Sequence, residues 1–150
     1  MRPSAIHLFM LKELPAAYFA GVRVKNLSNE QAITRVRHRW INQNPFKSIY
    51  FAVLAMAAEL STGVLVMQAI RNSKKKFSML VVENQSVFHK KATSKITFTC
   101  EDGKKLSAEM QACNHSENHA RSFWMTSIGK NQQGEEVATF YFKWSIKQKN

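Results

Sequence analysis

From Ile49 to Ile70 the chain carries a single charged side chain, Glu59, and the stretch is long enough to cross a bilayer. An acid at a bilayer centre costs about 2.5–3.5 kcal/mol even on a lenient insertion scale, and Ser61, Thr62 and Gly63 lie directly behind it. The stretch therefore reads as a helix buried inside a soluble protein, with no membrane span. Asn44-Pro45 marks a turn before it and Ser48 serves as its N-cap. Arg71 to Lys76 then places cations at the negative end of the helix dipole, which gives a central helix over 48–71.

Beyond this helix the chain alternates with the period of a sheet. Ala138, Phe140, Phe142, Trp144 and Ile146 occupy even positions, with Thr139, Lys143, Ser145 and Lys147 between them. Ile96, Phe98 and Cys100 alternate in the same way, Phe77 to Phe88 is strand-like, and Phe123 to Ile128 leads through the turn Asn131 to Gly134 into the last strand as a hairpin. Before the helix, Gly21 to Leu27 and Gln31 to Trp40 read as two strands joined at Ser28-Asn29. Asp102-Gly103 opens a short segment, Lys104 to Ala112, with the character of a minor helix.

At the N-terminus, Ile6, Phe9, Met10 and Leu14 recur at helical spacing behind Ser4, a candidate cap. This predicts a short amphipathic helix within residues 1–20, ending near Pro15. His7, Lys12 and Glu13 interrupt any signal-peptide core, so the segment is read as mature protein. One domain over 1–150 is the expectation, because a chain of 150 residues buries about 68–70% of its surface around one core.

Strands segregated from helices make an α+β protein. An antiparallel sheet with a face to cover, and one helix apolar nearly all round, are reconciled when the sheet wraps the helix, the hotdog arrangement. So apolar a helix is hard to bury under one half-open sheet, and two chains are expected to pair, as a dimer or a tetramer.

The net charge of +12 attracts anions in general: nucleic acid, an anionic membrane surface or a phosphorylated group such as coenzyme A. Two cysteines, Cys100 and Cys113, are too few for a disulfide framework and fit a reducing compartment, so the expected location is cytoplasmic.

Glu59 is the only acid between Glu30 and Glu83, and Ala52, Ala55, Met56, Thr62 and Gly63 surround it at helical spacings. Small neighbours admit a strand or an extended ligand, and desolvation would favour the protonated carboxyl, as suits a general base. The alternative is a structural acid paired with Arg or Lys from a facing strand.

The run Asn44-Pro45-Phe46-Lys47-Ser48-Ile49-Tyr50-Phe51-Ala52, with Glu59 beyond it, resembles the hotdog-fold acyl-CoA thioesterases of the PaaI-like group, in an uncharacterised thioesterase-like branch. Their motif runs from an Asn, through a His-Gly-Gly turn at the start of the long helix, to an acid nine residues after the His. Here Asn44 matches the Asn, Tyr50 replaces the His, Phe51 and Ala52 replace the glycines, and Glu59 falls at the acid. The resemblance extends more loosely over about Leu14 to Lys147. It implies hydrolysis of an acyl-CoA or acyl-carrier thioester, with Glu59 as base or nucleophile and the Phe51 N–H as oxyanion donor. The coenzyme A moiety would belong to the substrate, and no separate cofactor is implied. Asn44 reads equally as a simple turn residue.

The departures at Tyr50 and Phe51 remove a group that titrates near neutrality and place a ring where a substrate backbone would pass, which favours a non-catalytic acyl-CoA or fatty-acyl binding protein. Spacing adds a constraint: Glu59 lies about 13 Å along the helix from Tyr50, so one thioester carbonyl meets both only if they come from two chains.

Other groupings are weaker. Arg35, Arg37 and Arg39 share one strand face opposite Thr34, Val36, His38 and Trp40, and with Lys90-Lys91 they are candidates for coenzyme A phosphates; a solvated outer face is the alternative. Cys113, His115 and His119 are one ligand short of a closed zinc set, and no metal is expected. Ser61 and Ser127 lack a nucleophile elbow. No motif accompanies the basic charge, so nucleic acid is not expected as a partner.

Overall fold

The computed structural model describes residues 3–149. Two short helices, α1 (Pro3–Glu13) and α2 (Pro15–Phe19), precede β1 (Arg23–Leu27) and β2 (Ala32–Arg37). After a 3-10 turn at Trp40–Asn42 come α3 (Phe51–Ser73), β3 (Phe77–Phe88), β4 (Lys95–Cys100), α4 (Gly103–Cys113), β5 (Ala120–Lys130) and β6 (Glu136–Gln148). The six strands form one antiparallel sheet in the order β1-β2-β4-β5-β6-β3, curled around α3. This is the hotdog arrangement that the alternation and the apolar helix predict.

The sheet's concave face holds the core. Val36, Ile96, Phe98, Met125, Phe140 and Ile146 are buried against Leu54, Leu60 and Leu65 of α3. Phe98 pairs directly with Gly129, and its ring occupies the place where a Cβ on Gly129 would stand, which lets β4 and β5 approach with a large aromatic between them and the helix. Buried hydroxyls are matched: Ser61 and Ser127 share a hydrogen bond of 2.7 Å, and Thr34 donates to the Ala57 carbonyl at 2.6 Å. By length and composition α3 passes for a membrane span, yet two-thirds of its apolar window is buried inside this fold.

The N-terminal helix ends just before Pro15, as expected, and Pro15 starts the further helix α2 because its missing N–H is no loss at a first turn. Four local expectations are corrected. Ser4 lies inside α1 rather than capping it; residues 1 and 2 lie outside the described residues. The long helix starts at Phe51, not 48, with Tyr50 as N-cap and no side-chain cap. Ser48 is occupied instead by the preceding turn, donating to Asn44 Oδ1 at 3.1 Å. Finally, β2 stops at Arg37, because the His38 N–H turns to the Ser94 carbonyl; Trp40 thus leaves the inner face and is 84% exposed.

Asn42 holds this departure in place. Its buried amide donates to the carbonyls of Ala20 and Arg37, both at 2.9 Å, and its Oδ1 accepts from the Arg39 N–H at 2.9 Å. Asn42→Ala strands those groups and is expected to cost about 2 kcal/mol, read as a lower urea midpoint with an unchanged m-value.

Candidate functional site

Glu59 lies two turns into α3 on a half-buried stripe of that helix, with Ala52, Ala55 and Met56. Its carboxylate folds back toward Gly63, where a Cβ would stand 3.3 Å from Oε1 and 3.4 Å from the Trp144 ring. The glycine therefore makes room for both groups. Trp144 is fixed from below, its indole N–H donating to Thr62 Oγ1 at 2.9 Å.

No cation and no hydrogen-bond donor reaches the Glu59 carboxylate among the described residues. The strand Arg or Lys required by the structural reading is not found beside it among the described residues. Burial without compensation pushes the carboxyl from 4.5 up to about 7, where it exchanges its proton near neutral pH.

A second surface faces this stripe. A bulge in β3 at Val82 shifts its phase against β6, so Val81 pairs with Trp144 while Asn84, Ser86 and Phe88 pair with Phe142, Phe140 and Ala138. Residues paired across an antiparallel ladder share a face, so Asn84 and Ser86 point to the helix side of the sheet although both are exposed. The result is an open trough between α3 and β3. At one end Phe51 and Phe88 meet edge to face at 6.2 Å, and at the other stand Glu59, Trp144 and Val81. Asn84 and Ser86 escape a sequence reading because alternation from Phe77 places them on the wrong parity.

At the helix start, the Tyr50 carbonyl accepts from Val53 and Leu54 at 2.9 and 3.3 Å, and the Phe51 and Ala52 N–H groups have no acceptor among the described residues. They are free donors at the positive end of a long helix. Tyr50 and Phe51 are both about half exposed, their rings 5.2 Å apart.

The remaining candidates sort by place. Asn44 Oδ1 accepts from the Phe46 N–H, the Ser48 N–H and the Ser48 hydroxyl, so its side chain is committed to the turn. Arg35 and Arg37 project from the convex side of the sheet, where Arg35 pairs with Arg23 and Arg37 with Lys95; they are not brought to Glu59. Lys90 is ion-paired with Glu135, and the Lys91 ammonium lies 6.0 Å from the Phe46 ring, beside the turn that leads into α3. The Cys113 thiol donates to the His119 carbonyl at 3.0 Å, and burial drives the Cys100 thiol up to about 12, so neither is a poised nucleophile.

A cavity of about 420 Å3 opens elsewhere, between Asn29, the C-terminal half of α3 and α4. Its wall contains amides, hydroxyls and Lys75 but no acid, histidine or cysteine. The titrating group lies on the trough instead.

Solved structures share this architecture. A Pseudomonas aeruginosa protein, described as of unknown function and a probable thioesterase, superposes with a TM-score of 0.82 at 19% identity, over 99% of this chain and 97% of that one. A Chlorobaculum tepidum protein of unknown function gives 0.82 at 15%, with the same two coverages. A Haemophilus influenzae thioesterase gives 0.76 at 8%, over 99% of this chain and 92% of its own. At such identities the likeness is one of fold. No curated protein matches the sequence. A family model for a domain of unknown function, DUF4442, matches residues 5–146, and the chain belongs to that family.

Proposed function

We propose that this protein is a thioester hydrolase of the hotdog type, acting on acyl groups carried by coenzyme A or by a carrier protein, as a homodimer in the cytoplasm. The observation that carries the reading is Glu59: a carboxyl with no partner among the described residues and a proton affinity near neutrality, set between α3 and the helix-facing side of β3. General-base attack needs such a group, and the free Phe51 N–H is the kind of donor that stabilises an oxyanion.

The two groups stand eight residues apart on one helix, about 12 Å along its axis, beyond the reach of a single carbonyl. A dimer in which each α3 start faces the other chain's Glu59 resolves this. The outer edge of β3 supports it, being a twelve-residue strand paired only with β6 and exposing Leu80, Val82, Val87 and Phe88. Such an edge pairs with another strand unless blocked. Sedimentation equilibrium tests this: a mass of two chains is expected, a mass of four would mean that two dimers stack, and a monomer would overturn the dimer.

The second reading is a binding protein without turnover, favoured by the Phe51 ring, which reaches across to Phe88 and narrows the trough at the helix start. Thiol release from short, medium, long and aromatic acyl-CoAs separates the two. Hydrolysis is expected, with kcat/KM rising through an ionisation near pH 7. A melting temperature raised by acyl-CoA without any thiol release establishes the binding protein instead, and neither effect removes both readings.

A further inference from the structure

The turn between β2 and α3 carries three of the most exposed large apolar side chains in the molecule: Trp40 at 84%, Ile41 at 57% and Phe46 at 72%. They do not protrude through slackness. Asn42 pins the 3-10 turn from within, Gln43 bridges to Ile49, and Asn44 ties the Phe46 and Ser48 amides, while the Ile49 N–H is held by the Ala92 carbonyl at 2.8 Å. The fold thus commits its hydrogen bonds to displaying apolar rings to solvent, a cost that needs a partner to offset it.

The charge around them names the partner. Arg39, Lys47 and Lys91 are exposed beside the rings, and none is paired with a carboxylate among the described residues. Between Glu30 and Glu59 the sequence has no acid at all. Trp and Phe flanked by Lys and Arg match the headgroup layer of an anionic bilayer, where rings enter the acyl boundary and cations meet lipid phosphates. A protein groove would supply the apolar half of this match, and duplex DNA the charged half; a bilayer surface supplies both.

We propose that this turn docks the protein peripherally on an anionic lipid surface, with Trp40, Ile41 and Phe46 inserted and Arg39, Lys47 and Lys91 at headgroup level. Glu59 and the trough take no part in the docking, so it is read separately from hydrolysis.

The test is flotation of the full-length protein with phosphatidylcholine vesicles, with and without phosphatidylglycerol. Binding is expected only with the anionic lipid, weakening as salt is raised. In a Trp124→Phe background, emission should shift to the blue on binding and be quenched by brominated acyl chains, a change assigned to Trp40 because Trp144 is already buried. The double variant Trp40→Ala, Phe46→Ala should lose at least tenfold in binding while its melting temperature holds, the side chains being exposed. Lys47→Gln with Lys91→Gln should lose roughly 25-fold, about fivefold per cation. Failure to float with anionic vesicles overturns the proposal, as does binding that the aromatic variant leaves intact. It is equally overturned if the aromatic variant turns dimers into monomers, which would give the patch to a second copy, or if duplex DNA is bound and vesicles are not.

Discussion

Glu59→Gln is expected to slow thioester hydrolysis by about 10²–10⁴-fold and at the same time to make the protein harder to melt at pH 8. The first effect comes from removing the base, the second from the cost of keeping it. A carboxyl held near 7 in the folded chain and at 4.5 in the unfolded chain is more protonated when folded over the whole interval between. Its favourable contribution is complete below about 4.5 and is lost as pH rises through 7, for a total of about 3 kcal/mol. Glutamine keeps the shape and cannot ionise, so the variant escapes that loss. In a domain of this size the melting temperatures should converge toward pH 5 and separate by roughly 6–12 °C above pH 8. Thermal scans across pH, beside thiol-release rates, check both halves. A variant that hydrolyses normally removes Glu59 from the chemistry. A variant that melts with the native protein at every pH shows that a group from a second copy neutralises the carboxylate.

Gly103→Ala carries the largest purely structural effect. Gly103 is the first residue of α4, and its N–H donates to the Glu30 carbonyl at 2.9 Å. A Cβ there would lie 2.1 Å from the Asn29 carbonyl oxygen and 2.4 Å from the Glu30 Cα. These are backbone atoms of the β1–β2 turn and no rotamer moves them away. The expected loss is about 3 kcal/mol, at the upper end for overpacking, and α4 should lose protection from hydrogen exchange first. Helix propensity alone predicts the opposite sign, since alanine gains up to about 1 kcal/mol over glycine inside a helix. A stabilised variant would mean that α4 does not pack on that turn.

Gly103 also marks a limit of sequence reading. The segment after Asp102-Gly103 is recognisable as a helix, but that its first residue must lack a side chain depends on a turn more than seventy residues earlier. Elements whose two faces differ were legible: β6 alternates because one face meets the core, and α3 is apolar because it is surrounded. Its true start was hidden because Ser48, a good cap by type, is engaged by Asn44. Strand character in β3 was legible and its orientation was not, because within one chain neither face is well buried. Glu59 stood out as a lone acid in an apolar run, whereas its lack of a partner among the described residues is visible only in three dimensions.

The extra residue at Val82 has a consequence for how this surface can be retuned. Upstream of it the odd-numbered residues of β3 face the helix, and downstream the even-numbered ones do. Were Val82 drawn into the ladder opposite Lys143, then Glu83, Gln85 and Val87 would take the places of Asn84, Ser86 and Phe88, setting a carboxylate into the trough with Glu59 and withdrawing the ring that meets Phe51. The lining of the trough is thus governed by register as much as by residue identity: absorbing the bulge would bring a competing acid into the trough without altering any letter of the sequence, whereas deleting Val82 would leave Asn84, Ser86 and Phe88 where they are.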